Sequence, residues 1–305
     1  MESIAMSDWD GSSKANTTGY RIFIMLLKMG GTGPAYLLLR FVAFYYFLFS
    51  ARANRAIRYY LRQRLHFSGL KAIRLRYCNY YWFGQALIDR IVLMAGIKNK
   101  FTFNFDGEAY LKEMVAGGKG GLLLSAHIGN WEIAGHLLKR LNTKIHIVMY
   151  DGEQQQIKEY LNSVTGERNA HIIIIKDAIS HIYEIMEALN NNELVCMHSD
   201  RFLPGNKTLS ADFLGAPAAF PAGPFTIAAK LAVPVSFVFA LKESATHYHF
   251  FATPGAIYKD RPQKDNPEAI LADFIEQVTL KVQQYPDQWY NYYPFWEKDK
   301  RINPS

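Results

Sequence analysis

Gly121-Leu122-Leu123-Leu124-Ser125-Ala126-His127-Ile128-Gly129-Asn130-Trp131-Glu132 is an apolar run that stops abruptly on polar and turn-forming residues. A run with no charge suits a strand buried on both faces, and such strands belong to parallel sheets covered by helices. His127 leaves the strand, Gly129 permits a tight turn, and Asn130 is a good N-cap for a helix beginning at Trp131. The pattern recurs. Ile145–Tyr150, Ile172–Ile175, Leu194–Met197 and Val233–Ala240 read as further buried strands, while Trp131–Leu141, Glu153–Val164, Ala178–Leu189 and Phe225–Leu231 have helical spacing. This alternation predicts an α/β fold, a largely parallel central sheet flanked by helices. His247–Ala252 reads as an edge strand and Pro267–Tyr285 as a closing helix. In open α/β sheets chemistry gathers at the carboxyl ends of the strands, where His127 stands.

Composition sets the outer limits. The chain has 305 residues, 50% of them hydrophobic, which is ample for a core and excludes a disordered chain or a collagen-like repeat. Two cysteines, Cys78 and Cys196, make neither a disulfide framework nor a four-cysteine zinc site. His247 and His249 share one strand face without a third ligand, so no metal site is assigned. Gly117-Gly118-Lys119-Gly120-Gly121 lacks the spacing of a phosphate-binding loop.

The charge is uneven. Residues 1–100 hold 15 Lys and Arg against four acids, and no Asp or Glu lies between Asp10 and Asp89. Ala35–Phe49 is an apolar run whose one charge is Arg40, with basic residues on both sides. It falls short of the roughly 20 apolar residues a bilayer span needs, and positive charge on both flanks suits an in-plane helix or shallow hairpin. Arg52, Arg55, Arg58 and Arg62 follow within about 120° of a helical wheel. Such a stripe fits either anionic headgroups or an ordinary solvated face. Nucleic acid is not expected, because no recognition fold accompanies the arginines and the apolar run has no role there. Residues 1–100 are read as a membrane-associated helical element, with residues 20–76 against phospholipid, and 101–305 as the α/β domain.

Spacing alone allows two readings of the turn after the first strand. With His127 in the loop and Glu132 in the first helical turn, the carboxylate can reach back and fix the imidazole tautomer as a base. A helix-capping histidine beside a common first-turn glutamate is the plainer alternative.

His127-x-x-x-x-Glu132 resembles the HxxxxD/E signature of the lysophospholipid acyltransferase superfamily, and HxGNWE resembles its lipid A biosynthesis (late) acyltransferase branch. Further resemblances follow in order: Arg168 before a strand, Asp200-Arg201 in VCMHSDRF, Asp212-Phe213-Leu214-Gly215, Pro234-Val235 and Pro286-Asp287-Gln288-Trp289. The resemblance implies an acyltransferase with His127 as general base, oriented by Glu132. Its donor would be an acyl-carrier-protein or coenzyme A thioester, its acceptor a lipid hydroxyl or amine, with no further cofactor. It further implies Asn130, Trp131, Arg168, Asp200 and Arg201 at the substrates, and a place on the cytoplasmic face of the bacterial inner membrane. A lipid-binding or carrier-docking protein of the same fold is the alternative. Two departures bear on the acceptor: aromatics from Tyr290 to Trp296 replace basic residues, and His198-Ser199-Asp200-Arg201 replaces paired acids.

Overall fold

A computed structural model describes residues 30–130, 143–150, 170–175, 179–258 and 267–296, together with Met25, Leu27, Lys28, Ile133 and Leu141. The helices expected over Trp131–Leu141 and Glu153–Val164 lie almost wholly outside the described residues.

Among the described elements three helices come first: α1 (Thr32–Phe49), α2 (Ala51–Tyr59, continued by a π-helical turn over Tyr60–Arg64) and α3 (Gly69–Met94). Next come β1 (Thr102–Asp106), α4 (Glu108–Ala116), β2 (Gly121–Ser125), β3 (Ile145–Tyr150), β4 (Ala170–Ile175), α5 (Ser180–Asn190) and β5 (Leu194–His198). A hairpin, β6 (Thr208–Asp212) and β7 (Pro217–Pro221), leads to α6 (Ala222–Leu231), β8 (Val235–Lys242), β9 (His247–Ala252) and α7 (Pro267–Gln284).

The described strands other than the hairpin form a seven-stranded sheet in the order β1-β9-β8-β2-β5-β3-β4. Every neighbouring pair is parallel except β8 with β9. Burial on both faces explains the apolar strands. Leu122 and Leu124 join the larger core with Phe225, Phe274 and Val278, while Leu123 between them packs on the opposite face with Leu111 and Met114. One expectation is corrected. His247–Ala252 is not an edge strand, because β1 pairs along its outer side.

On α1, Tyr36, Leu39 and Ala43 face inward. Leu37, Leu38, Phe41, Phe44, Tyr45, Leu48 and Phe49 are exposed. The helix is apolar and long enough, by length and composition, to cross a membrane. It crosses α3 closely at Gly84, where a Cβ would stand 2.3 Å from Leu39 Cδ1. On α2, Asn54, Ala56 and Ile57 are buried while Arg52, Arg55 and Arg58 are exposed, as the wheel predicts. A buried polar cluster joins these helices to the sheet. Asp89 of α3 accepts from Tyr36 of α1, Lys242 of β8 and Tyr248 of β9.

Candidate active site

β2 and β5 run parallel and level, with Ser125 opposite His198. The residues two places beyond each strand therefore meet. His127 Nδ1 lies 2.6 Å from Asp200 Oδ1, and the His127 backbone N–H donates to Asp200 Oδ2 at 2.9 Å. Trp289 Nε1 donates to the same Oδ2 at 3.3 Å. The His127 side chain is 26% exposed, that of Asp200 only 3%.

The loop carrying His127 is held from both sides. Gly129 N–H donates to Gln288 O at 2.8 Å, Tyr290 N–H to His127 O at 3.0 Å, and Asn130 N–H to Ala240 O at 2.7 Å. Gly129 sits at φ +68°, and a Cβ there would come 2.0 Å from Ala240 O. Only glycine fits a left-handed turn pressed so closely on β8. The Gln288 amide clamps the end of β8: its oxygen accepts from Lys242 N–H at 2.9 Å and its NH2 donates to Lys242 O at 2.6 Å.

Electrostatics assign the protons. Burial works against ionisation of Asp200, but the positive ends of His127 and Arg201 overcome it and hold the carboxyl far below its ordinary range. An ionised carboxylate only accepts, so Nδ1 carries the hydrogen and Nε2 presents the lone pair. Burial, and then Arg201, lower the His127 pKa from its ordinary value, against the opposing pull of Asp200. The imidazole is therefore neutral at pH 7, the state a base requires.

A second imidazole stands beside it. The His198 and His127 rings stack with centroids 4.3 Å apart and planes 26° apart. Burial first, then His127, keeps His198 well below the ordinary histidine range. His127, His198 and Asp200 each offer a ligand atom within 4.8 Å of one another. A metal bound by both rings needs lone pairs that converge in the ring planes, and near-parallel stacked rings direct theirs side by side. The arrangement suits proton transfer better than metal ligation.

Burial without catalysis could also preserve a histidine–aspartate pair; kinship speaks to the family of the chain. The model of the bacterial lipid A biosynthesis acyltransferases matches residues 75–298, most of the chain. The chain belongs to that family. Curated relatives include the phosphatidylinositol mannoside acyltransferases of two Mycobacterium tuberculosis strains, CDC 1551 and H37Rv. Each is 26% identical over 202 residues, covering 63% of this chain and 60% of the relative. The chain thus spans less than two thirds of those relatives' length. The crystal structure of the 1-acyl-sn-glycerophosphate acyltransferase PlsC from Thermotoga maritima covers 84% of this chain and 98% of its own, at 14% identity and a TM-score of 0.39.

Within this lipid A acyltransferase family member, the site residues expected from sequence fare differently. Glu132, Trp131 and Arg168 lie outside the described residues. Asp200, expected at the substrate, spends both oxygens on His127 and Trp289. Asn130, also expected there, is 5% exposed and donates its amide to Ala86 O at 2.9 Å, tying the loop to α3. Arg201 is partly exposed; it donates to Tyr290 O, faces the Tyr293 ring at 6.0 Å, and keeps a buried Nε without a hydrogen-bond partner among the described residues. The pairing of His127 with Asp200, the stacked His198 and the Trp289 contact were not read from sequence. The level ends of β2 and β5 are the signal that joins them.

Proposed function

We propose that this protein transfers a fatty acyl chain from an acyl-carrier-protein or coenzyme A thioester to a hydroxyl, or amine, of a membrane lipid acceptor. The acceptor class is a lipid A precursor or a related bacterial glycolipid, the second in keeping with the mannoside acyltransferases among its relatives. The work would be done at the cytoplasmic face of the inner membrane, with the exposed apolar face of α1 and the basic face of α2 against phospholipid.

The observation that carries the reading is a partly exposed imidazole whose Nδ1 is held by a buried, ionised carboxylate. Nε2 of His127 takes the proton of the acceptor hydroxyl as its oxygen attacks the thioester carbonyl carbon. The tetrahedral oxyanion collapses, the carbon–sulfur bond breaks, and the thiolate leaves with the proton from the imidazolium. Asp200 stabilises that imidazolium. General-base help of this kind contributes on the order of 10²- to 10⁴-fold. Arg201 is suited to steady the oxyanion or to bind a phosphate of donor or acceptor. With Nδ1 held by Asp200 and Nε2 given to the acceptor, the proposed role of Glu132 narrows to supporting the imidazolium by its charge.

Turnover is measured as free thiol released from acyl-carrier-protein or coenzyme A thioesters in the presence of bacterial membrane lipid. His127→Ala should abolish it while leaving the protein folded; undiminished release would refute the reading. Lipid profiles of a strain lacking the gene identify the acceptor by the acylated species that disappears.

A further inference from the structure

Three arginines converge where the exposed apolar helix meets the basic one. The Arg76 guanidinium lies over the Phe47 ring, 4.2 Å from its centroid, so α3 meets the end of α1 there. Asn54 of α2 and Tyr80 of α3 are hydrogen-bonded across the two helices; Arg58 follows Asn54 by one turn, Arg76 precedes Tyr80 by one turn, and Arg62 in the π-helical turn comes one turn after Arg58. Burial, and then the positive field of Arg58, lower the Arg76 guanidinium from its ordinary value; Tyr80 opposes them and Arg62 adds a smaller push downward. Arg76 Nε is buried without a hydrogen-bond partner among the described residues. No Asp or Glu lies between Asp10 and Asp89 in the sequence, and the carboxylate that reaches α3 from elsewhere, Asp287, accepts from Trp82 Nε1 at 3.1 Å.

The helices that carry the arginines are fixed against one another. Asn54 Nδ2 donates to Phe47 O at 2.8 Å, and Tyr80 OH donates to Asn54 Oδ1 at 3.2 Å, so α1, α2 and α3 are locked at one joint. Like charges held together cost free energy unless an anion joins them. The π-helical turn carrying Arg62 is a form that often marks functional positions. Phe44, Tyr45, Leu48 and Phe49, beside Phe47, are exposed and apolar. An anion seated here would have a hydrocarbon neighbour, as a lipid phosphate has and a soluble anion has not.

We infer that Arg58, Arg62 and Arg76 form a binding site for the headgroup phosphate of an anionic glycerophospholipid in the leaflet on which α1 rests. The inference deepens the membrane-surface part of the proposed function and fixes the depth of α1 at its carboxyl end. Guanidinium groups suit this ligand because each can present two parallel N–H donors to phosphate oxygens.

The test compares two variants of the full chain with equal charge loss, R58Q/R62Q/R76Q and R55Q/K71Q/K98Q, for partitioning onto phosphatidylcholine vesicles with and without phosphatidylglycerol. The first should lose at least about tenfold more affinity for the phosphatidylglycerol vesicles than the second. Equal losses would mean an unstructured film of positive charge and would overturn the site. Inorganic phosphate should displace the protein no better than chloride at matched ionic strength; selective displacement would mean a soluble-phosphate site instead. Intact vesicle binding with lost acyl-carrier-protein binding would mean a protein-docking patch. If Arg76→Gln prevents folding, R58Q/R62Q against R55Q/K71Q asks the same question. Run in a His127→Ala background the comparison needs no turnover, so failure of the acyl-transfer reading leaves it standing.

Discussion

His127 Nδ1 and Asp200 Oδ1 lie 2.6 Å apart although 73 residues separate them in the chain. The contact is made by two parallel strands that end level. Asp200→Asn keeps the shape but lets an amide N–H face Nδ1, which favours the tautomer with its proton on the wrong nitrogen. Turnover should fall by about 10²- to 10⁴-fold with little change in far-UV circular dichroism. A loss of less than about threefold would mean that Asp200 only packs the loop.

The pH dependence follows from the same pair. A base works deprotonated, and burial with Arg201 places the His127 pKa below its ordinary value of 6.5. The acid limb of kcat/KM should therefore lie below pH 6.5. Since His198 gains a proton only at still lower pH, the limb should carry the slope of a single proton. Arg201→Gln removes a positive field and should move the limb upward, while Arg201→Lys should leave it near the parent position. An unmoved limb in Arg201→Gln would detach the guanidinium from the imidazole.

Gly129 tests the loop that presents His127. Alanine there meets a left-handed backbone and Ala240 O at 2.0 Å together, whereas Gly205, at φ +88°, has open space within 4 Å. Gly205→Ala should cost only the backbone strain, about 1–2 kcal/mol. Gly129→Ala should cost clearly more in chemical denaturation and lose turnover besides. Equal costs would show that the loop can retreat from β8.

Much of this architecture was legible, and the omissions have a common cause. Strands buried on both faces, such as Leu122–Leu124, announce themselves as apolar runs. β1 escapes because its residues alternate between exposed and half-buried at the sheet's edge, so Thr-Phe-Asn-Phe-Asp reads as loop. Missing β1 is what made β9 look like an edge. The β6–β7 hairpin escapes because prolines bracket its second strand. His127 was legible because its turn is local. Asp200 was placed at the substrate rather than on His127, because local spacing shows which residues share a turn but not which strands lie side by side.

The buried cluster at Asp89 supplies the last test. Lys242 and Asp89 are 3% and 0% exposed, and Lys242 also donates to Tyr36 OH at 2.9 Å. Burial pushes the Asp89 carboxyl up and the Lys242 ammonium down, each opposed by the attraction of the other. Removing one partner leaves a buried charge with only the Tyr36 and Tyr248 hydroxyls. Lys242→Met should therefore cost about 3–5 kcal/mol, while a D89L/K242M double variant should recover most of it. Because Tyr248 stands 3.4 Å from Asn130 Nδ2, the single variant should also disturb the catalytic loop and lower turnover beyond what unfolding explains. Denaturation curves for both variants, with turnover measured where each is fully folded, separate the two effects. Loss of stability without loss of turnover would confine the cluster to joining α1 and α3 to the sheet.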